Sequence, residues 1–133
     1  MKIVVIDDSI TNLVVLKCLS AGVNGAEVVP FTDSVAACKY LAEGAADVIV
    51  VDYAMPNVNG IDLVRIVRQQ PLHAQTPILM VTGQADRTTR LKALHAGATD
   101  FLSKPLDAAE FKARLRNYLP SLDAAGRAAA LAG

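Results

Sequence analysis

Only two cysteines occur in the 133 residues, and Cys18 and Cys38 have no metal-ligand spacing. Both fall in helical patterns, so they are expected to be reduced, buried, small apolar residues. Charge of one sign is also missing: 13 basic side chains face 13 acidic ones, for a formal net charge of zero. Nothing in that balance attracts nucleic acid or an anionic membrane surface. No apolar run approaches the length that spans a bilayer. The run Ile3-Val4-Val5-Ile6 is too short for a signal-peptide core and meets Asp7-Asp8 at once. The expected location is therefore cytoplasmic, with no membrane contact. The glycines form no G-x-G-x-x-G after an apolar run, which leaves a dinucleotide site without support.

What is present is a hydrophobic content of 53%, enough for the core of one domain of ordinary size. Short apolar runs at 3–6, 28–31, 48–51, 78–81 and 101–102 are rich in Val and Ile. They mostly lack in/out alternation, as strands buried on both faces do. Longer segments at 11–21, 34–43, 61–70, 87–96 and 108–119 read as helices. Ser34 and Asp107 are expected to cap helix starts, and Gly44 and Gly97 to mark helix ends. Strands alternating with helices imply a doubly wound α/β domain: five parallel strands in the order 2-1-3-4-5 and five helices. The domain is expected to cover 1–120, with an Ala-rich tail or linker stub at 121–133.

The polar residues at the strand ends carry the chemistry. Asp7 and Asp8 follow the first strand, Asp52 the third, Thr82 the fourth and Lys104 the fifth. In the order 2-1-3-4-5, strands one and three flank the topological switch point, where ligands bind beyond the carboxyl ends. Three carboxylates brought together there need compensating charge. Oxygen-only donors with room for water suit Mg²⁺ better than zinc, and Lys104 adds a fixed cation.

These residues sit in the stretches Val5-Ile6-Asp7-Asp8-Ser9, Val50-Val51-Asp52-Tyr53-Ala54-Met55-Pro56 with Gly60, Val81-Thr82-Gly83, and Phe101-Leu102-Ser103-Lys104-Pro105. Together they resemble a bacterial two-component response-regulator receiver domain, of flavodoxin-like architecture, over about residues 2–119. The resemblance implies that Asp52 is the phosphoacceptor and that Asp7, Asp8, Asp52 and the Ala54 carbonyl hold Mg²⁺. It implies that Thr82 and Lys104 bind phosphoryl oxygens and that Thr82 and Phe101 form the switch. Pro56 and Gly60 would shape the loop after the third strand. It also implies a donor, a histidine kinase or histidine phosphotransfer protein, and an output domain or partner read through the fourth helix, fifth strand and fifth helix. Such a domain catalyses only its own phosphorylation and slow dephosphorylation, and is not otherwise an enzyme. Ala54 departs from the polar side chain common at that position. With Gln84, it is expected to tune the lifetime of the acyl phosphate.

Two alternatives remain at this level. The chain is the receiver part of a larger regulator; residues 99–119 resemble receivers fused to cyclic-di-GMP phosphodiesterases. Or it is a phosphohydrolase of haloacid-dehalogenase type, although the D-x-D that such enzymes carry after the first strand is here Asp7-Asp8-Ser9. His73 and His95 lie away from the strand ends and read as surface or helix-end residues. In the first helix, Asn12, Val15, Leu16 and Leu19 share one face, assigned to the core. Ile10, Leu13, Val14 and Lys17 are left facing outward as a patch for the kinase.

Overall fold

A computed structural model describes residues 1–83 and 86–119. Gln84 and the tail at 121–133 lie outside the described residues. The strands are β1 (Lys2–Ile6), β2 (Glu27–Phe31), β3 (Val48–Asp52), β4 (Ile78–Thr82) and β5 (Asp100–Ser103). They alternate with α1 (Ile10–Ser20), α2 (Ser34–Glu43), α3 (Gly60–Arg68), α4 (Arg87–Ala96) and α5 (Ala108–Tyr118). All pairings are parallel and the order is β2-β1-β3-β4-β5. β3 and β4 are buried along their whole length, which explains their unbroken Val/Ile/Leu/Met runs.

Two cores result, one on each face of the sheet. Val4, Ile6, Ile49, Val51, Ile78 and Met80 meet α2, α3 and α4. Ile3, Val5, Val50, Leu79 and Val81 meet α1 and α5, where Leu16, Phe111 and Leu115 close the layer. The edge strand β2 is only half-buried. Its Pro30 pairs in register with Val5. The polar groups of the odd-numbered residues turn inward: Glu27 N–H donates to the Met1 carbonyl (2.9 Å), and the Phe31 carbonyl accepts from Asp7 N–H (3.1 Å). Pro30, at the intervening parity, therefore has its nitrogen on the outer side of the strand and costs the ladder nothing.

Four expectations need correction. The buried stripe of α1 is Leu13, Leu16 and Ser20, while Asn12 and Val15 are exposed. The apolar residues of this helix fall nearly evenly around its axis, so periodicity alone did not select the face that meets the sheet. Cys18 lies on the wet side of α1 and is exposed, whereas Cys38 is half-buried. Burial, with the charge of Asp33 added, pushes the Cys38 thiol above its ordinary value and so favours its protonated form. The cap of α2 is Asp33, whose Oδ1 accepts from Val35 N–H at 2.9 Å; Ser34 is already helical.

His73, finally, is not a surface residue but is 1% exposed. Its Nε2 lies 2.8 Å from the Leu41 carbonyl and 3.1 Å from that of Gly44. Both neighbours are acceptors, so Nε2 carries the proton and satisfies carbonyls left open at the end of α2. Arg68, the last residue of α3, performs a similar task for the end of α4 and the turn before β4. It donates to the carbonyls of Gly97 (2.9 Å), His73 (2.9 Å), Ala74 (3.3 Å) and Thr76 (2.6 Å), and to the Thr99 hydroxyl (3.1 Å).

Candidate functional site

Each strand ends where its apolar run meets a polar residue, and the parallel sheet gathers those ends on one rim. Asp7 and Asp52 are almost wholly buried there, and Asp8 is exposed at the mouth. One carboxylate oxygen from each of the three lies within 4.8 Å of the others. Asp7 is fixed by Ser9 N–H, which donates to its Oδ1 at 2.9 Å. Its second oxygen, Oδ2, is buried without a hydrogen-bond partner. The Lys104 ammonium donates to Asp52 Oδ1 at 3.0 Å and stands 3.6 Å from Asp7 Oδ2. Lys104 N–H is tied in turn to the Thr82 carbonyl (2.8 Å), so β4 and β5 set the lysine's origin.

Burial pushes the Asp52 carboxyl above the ordinary range, and the charges of Asp7 and Asp8 push the same way. The hydrogen bond and charge of Lys104 oppose both but do not cancel them. One ammonium against three carboxylates leaves net negative charge in a confined space. An all-oxygen donor set with a buried oxygen that accepts no hydrogen bond fits a hard divalent cation such as Mg²⁺.

Thr82 is buried at the end of β4, and Gly83 beyond it is exposed. A Cβ placed on Gly83 would meet nothing within 4 Å, so a bound oxyanion has open access to that backbone. Gly60 is the opposite case. A Cβ there would come within 2.5 Å of the Asp52 carbonyl and 2.9 Å of Tyr53 Cα. Its N–H donates to the Tyr53 carbonyl at 2.9 Å, which docks the start of α3 directly behind Asp52. Ala54 is exposed on the intervening loop.

All five strand-end groups read from the sequence thus meet at one rim. Phe101 is set apart from them, packed in the core beside α4 at 8% exposure. Sequence reasoning missed its neighbour Arg90, whose guanidinium lies 5.5 Å from the Phe101 ring centre. It also missed a groove of about 540 Å³ beside the acidic cluster, lined by Asp7, Asn12, Val15, Leu16, Lys104 and Leu106. No single segment signals either feature, because each joins residues from different elements.

Comparison with known proteins places this geometry. The profile of the response regulator receiver domain matches residues 3–116. The chain is 33% identical over 115 residues to the chemotaxis protein CheY of Pseudomonas aeruginosa, covering 86% of this chain and 93% of that protein. It is 32% identical over 120 residues to the cyclic di-GMP phosphodiesterase response regulator RpfG of Xanthomonas campestris, covering 90% of this chain but only 32% of the regulator. Among solved structures, CheY4 of Vibrio cholerae superimposes with a TM-score of 0.82 at 30% identity, over 89% of this chain and 98% of that one. The receiver domain of the sensor histidine kinase PA1611 of Pseudomonas aeruginosa, solved with magnesium coordinated in its active-site cleft, superimposes with a TM-score of 0.80 at 26% identity. That match covers 88% of this chain and 95% of that one.

Proposed function

The chain belongs to the response-regulator receiver domain family, and from that premise we propose that Asp52 accepts a phosphoryl group, with Mg²⁺ held by Asp7, Asp8, Asp52 and the Ala54 carbonyl. The observation that carries this reading is the Lys104 ammonium, 3.0 Å from Asp52 and 3.6 Å from Asp7 where three carboxylates converge. An Asp52 oxygen attacks phosphorus as the phosphorus–nitrogen bond of a donor phosphohistidine breaks, and the imidazole leaves with the bonding pair. Negative charge spreads over three equatorial oxygens in that transfer. Lys104, the Thr82 hydroxyl and the open Gly83 backbone face that charge. Bound Mg²⁺ supplies neutralisation of the same oxygens and of the carboxylates.

The product is a signal rather than a released metabolite. The phosphoryl group draws the Thr82 hydroxyl toward the rim and favours a state in which Phe101 packs inward, as it does here. The surface read by an output domain or partner protein comprises α4, β5 and α5. A groove of about 430 Å³ runs there between Arg90, Leu94, Asp100, Glu110 and Arg114. Among the described residues no helix is long and apolar enough to cross a membrane, and a cytoplasmic location follows from the proposed donor. Because the chain spans a third of RpfG, a second reading makes it the input part of a longer regulator.

The direct test is labelling with acetyl phosphate. A single hydroxylamine-labile phosphate on the peptide that contains Asp52, formed with Mg²⁺ and lost in excess chelator, is the expected result. Labelling that ignores the chelator would remove the metal from the reading.

We assign donor docking to α1. Val14 and Val15 are 53% and 49% exposed, and Val15 lines the groove that ends at Asp7 and Lys104. Leu13, being buried, is no part of that surface. Val14→Lys combined with Val15→Asp is expected to slow transfer from the partner kinase at least about tenfold, the scale lost when positioning fails. Acetyl phosphate, which needs no docking, should label the variant at the wild-type rate. Equal loss with both donors would refute the docking face.

A further inference from the structure

The loop that carries Ala54 is held from outside its own strand and helix. Met55 is buried in the core on one side of Pro56, and Asn57 on the other takes a left-handed turn with φ of 67°. Between them, the Pro56 carbonyl accepts a hydrogen bond from the Ser34 hydroxyl at 3.3 Å. Ser34 stands in the first turn of α2, is 3% exposed, and comes from a different βα unit, 22 residues away. Its neighbour Asp33 already caps the helix, so the Ser34 hydroxyl is not needed for that purpose and is free to tie the two loops together.

Resting on the proposed metal site, we infer that Ser34 is a positioning residue for Mg²⁺ binding: its bond to Pro56 holds the β3–α3 loop so that the Ala54 carbonyl stays aimed at the cation. The physical reason lies in the contrast among donors. Asp7 is fixed by the Ser9 amide and Asp52 by strand pairing. The Ala54 carbonyl belongs to an exposed loop position with no side chain of its own to anchor it. A backbone donor placed by a loop is as good a ligand as the loop is rigid. The Ser34 hydrogen bond two residues downstream, and Gly60 docking behind Asp52, restrict that loop from its far side.

The test is calorimetric titration of the metal-free chain with Mg²⁺, using wild type, Ser34→Ala and, as control, Tyr40→Phe. The control removes a hydrogen bond of the same length, Tyr40 hydroxyl to the Ala45 carbonyl at 3.3 Å, at the other end of the same helix. Ser34→Ala is expected to raise the Mg²⁺ dissociation constant about two- to tenfold, the worth of one hydrogen bond. Tyr40→Phe should leave it unchanged. In labelling with acetyl phosphate, Ser34→Ala should raise the Mg²⁺ concentration for half-maximal rate while the rate at saturating Mg²⁺ holds. Equal Mg²⁺ affinity in Ser34→Ala and wild type, or equal weakening in both variants, would overturn the inference and leave the metal site standing. A wild-type chain that takes up no Mg²⁺ would instead overturn the site itself.

Discussion

Asp52→Asn is expected to abolish phosphorylation and, in metal-free buffer at neutral pH, to make the folded chain more stable. The first effect follows from losing the nucleophilic oxygen, since an amide is not a competent acceptor. No hydroxylamine-labile phosphate should form with a kinase or with acetyl phosphate. A variant labelled as fully as wild type would sink the assignment.

The second effect follows from electrostatics. Burial first, and the charges of Asp7 and Asp8 after it, raise the Asp52 carboxyl above its ordinary value despite Lys104. A raised carboxyl binds its proton more tightly in the folded state than in the unfolded state. Stability is then highest below the unfolded value and falls as pH climbs through the folded one. Above that window the ionised group works against the fold, and asparagine removes the penalty. Thermal melts across pH should show the variant's advantage at neutral pH and its disappearance in acid. Mg²⁺ should erase the advantage too, by stabilising the wild type alone. A variant less stable than wild type at neutral pH would show that the Lys104 contact outweighs burial.

Arg68→Met should cost about 3 kcal/mol of stability, or roughly 10 °C in Tm, while leaving phosphorylation of the folded protein intact. Arg68 donates to four backbone carbonyls and one hydroxyl, at the end of α4, in the turn before β4 and at the approach to β5. Removing it leaves several partly buried acceptors without a donor at once, and methionine replaces only the stem. Burial lowers the guanidinium's proton affinity, as expected for a cation held by carbonyl dipoles rather than by a carboxylate. Arg68→Lys should recover little, because one ammonium cannot span the same fan of acceptors. Denaturant melts decide this: a loss below about 1 kcal/mol would mean that water replaces the arginine at little cost.

The strand order and the rim of the sheet were legible because their signals are local. Each site residue ends a strand or stands within two residues of its end, so reading the strands located the site. Gly44 and Gly97 ended their helices as expected, the latter at a φ of 116°. The misplacements share a different cause. The α1 face was misread because that helix has apolar residues on nearly every side, and only contact with β1 and α5 decides among them. His73 was misread because its partners, Leu41 and Gly44, are about thirty residues away and need the folded chain to meet it. Asp33 and Ser34 are both capping residue types, so the local sequence does not tell which of them caps α2. The hydroxyl's actual partner, Pro56, lies in another loop.

Pro30 has a consequence for the chain as a solute. A parallel sheet of five strands has two open edges, and an open edge is a template on which a foreign strand can grow. On β2 the outward row of donors is interrupted where Pro30 has no N–H, since the flanking amides are spent inward on β1. A strand approaching from solvent would find a ring in place of the donor that its register requires. The half-buried Val28, Val29 and Phe31 around that gap are thereby kept from seeding edge-to-edge assembly in a crowded cell, at no cost to the native ladder.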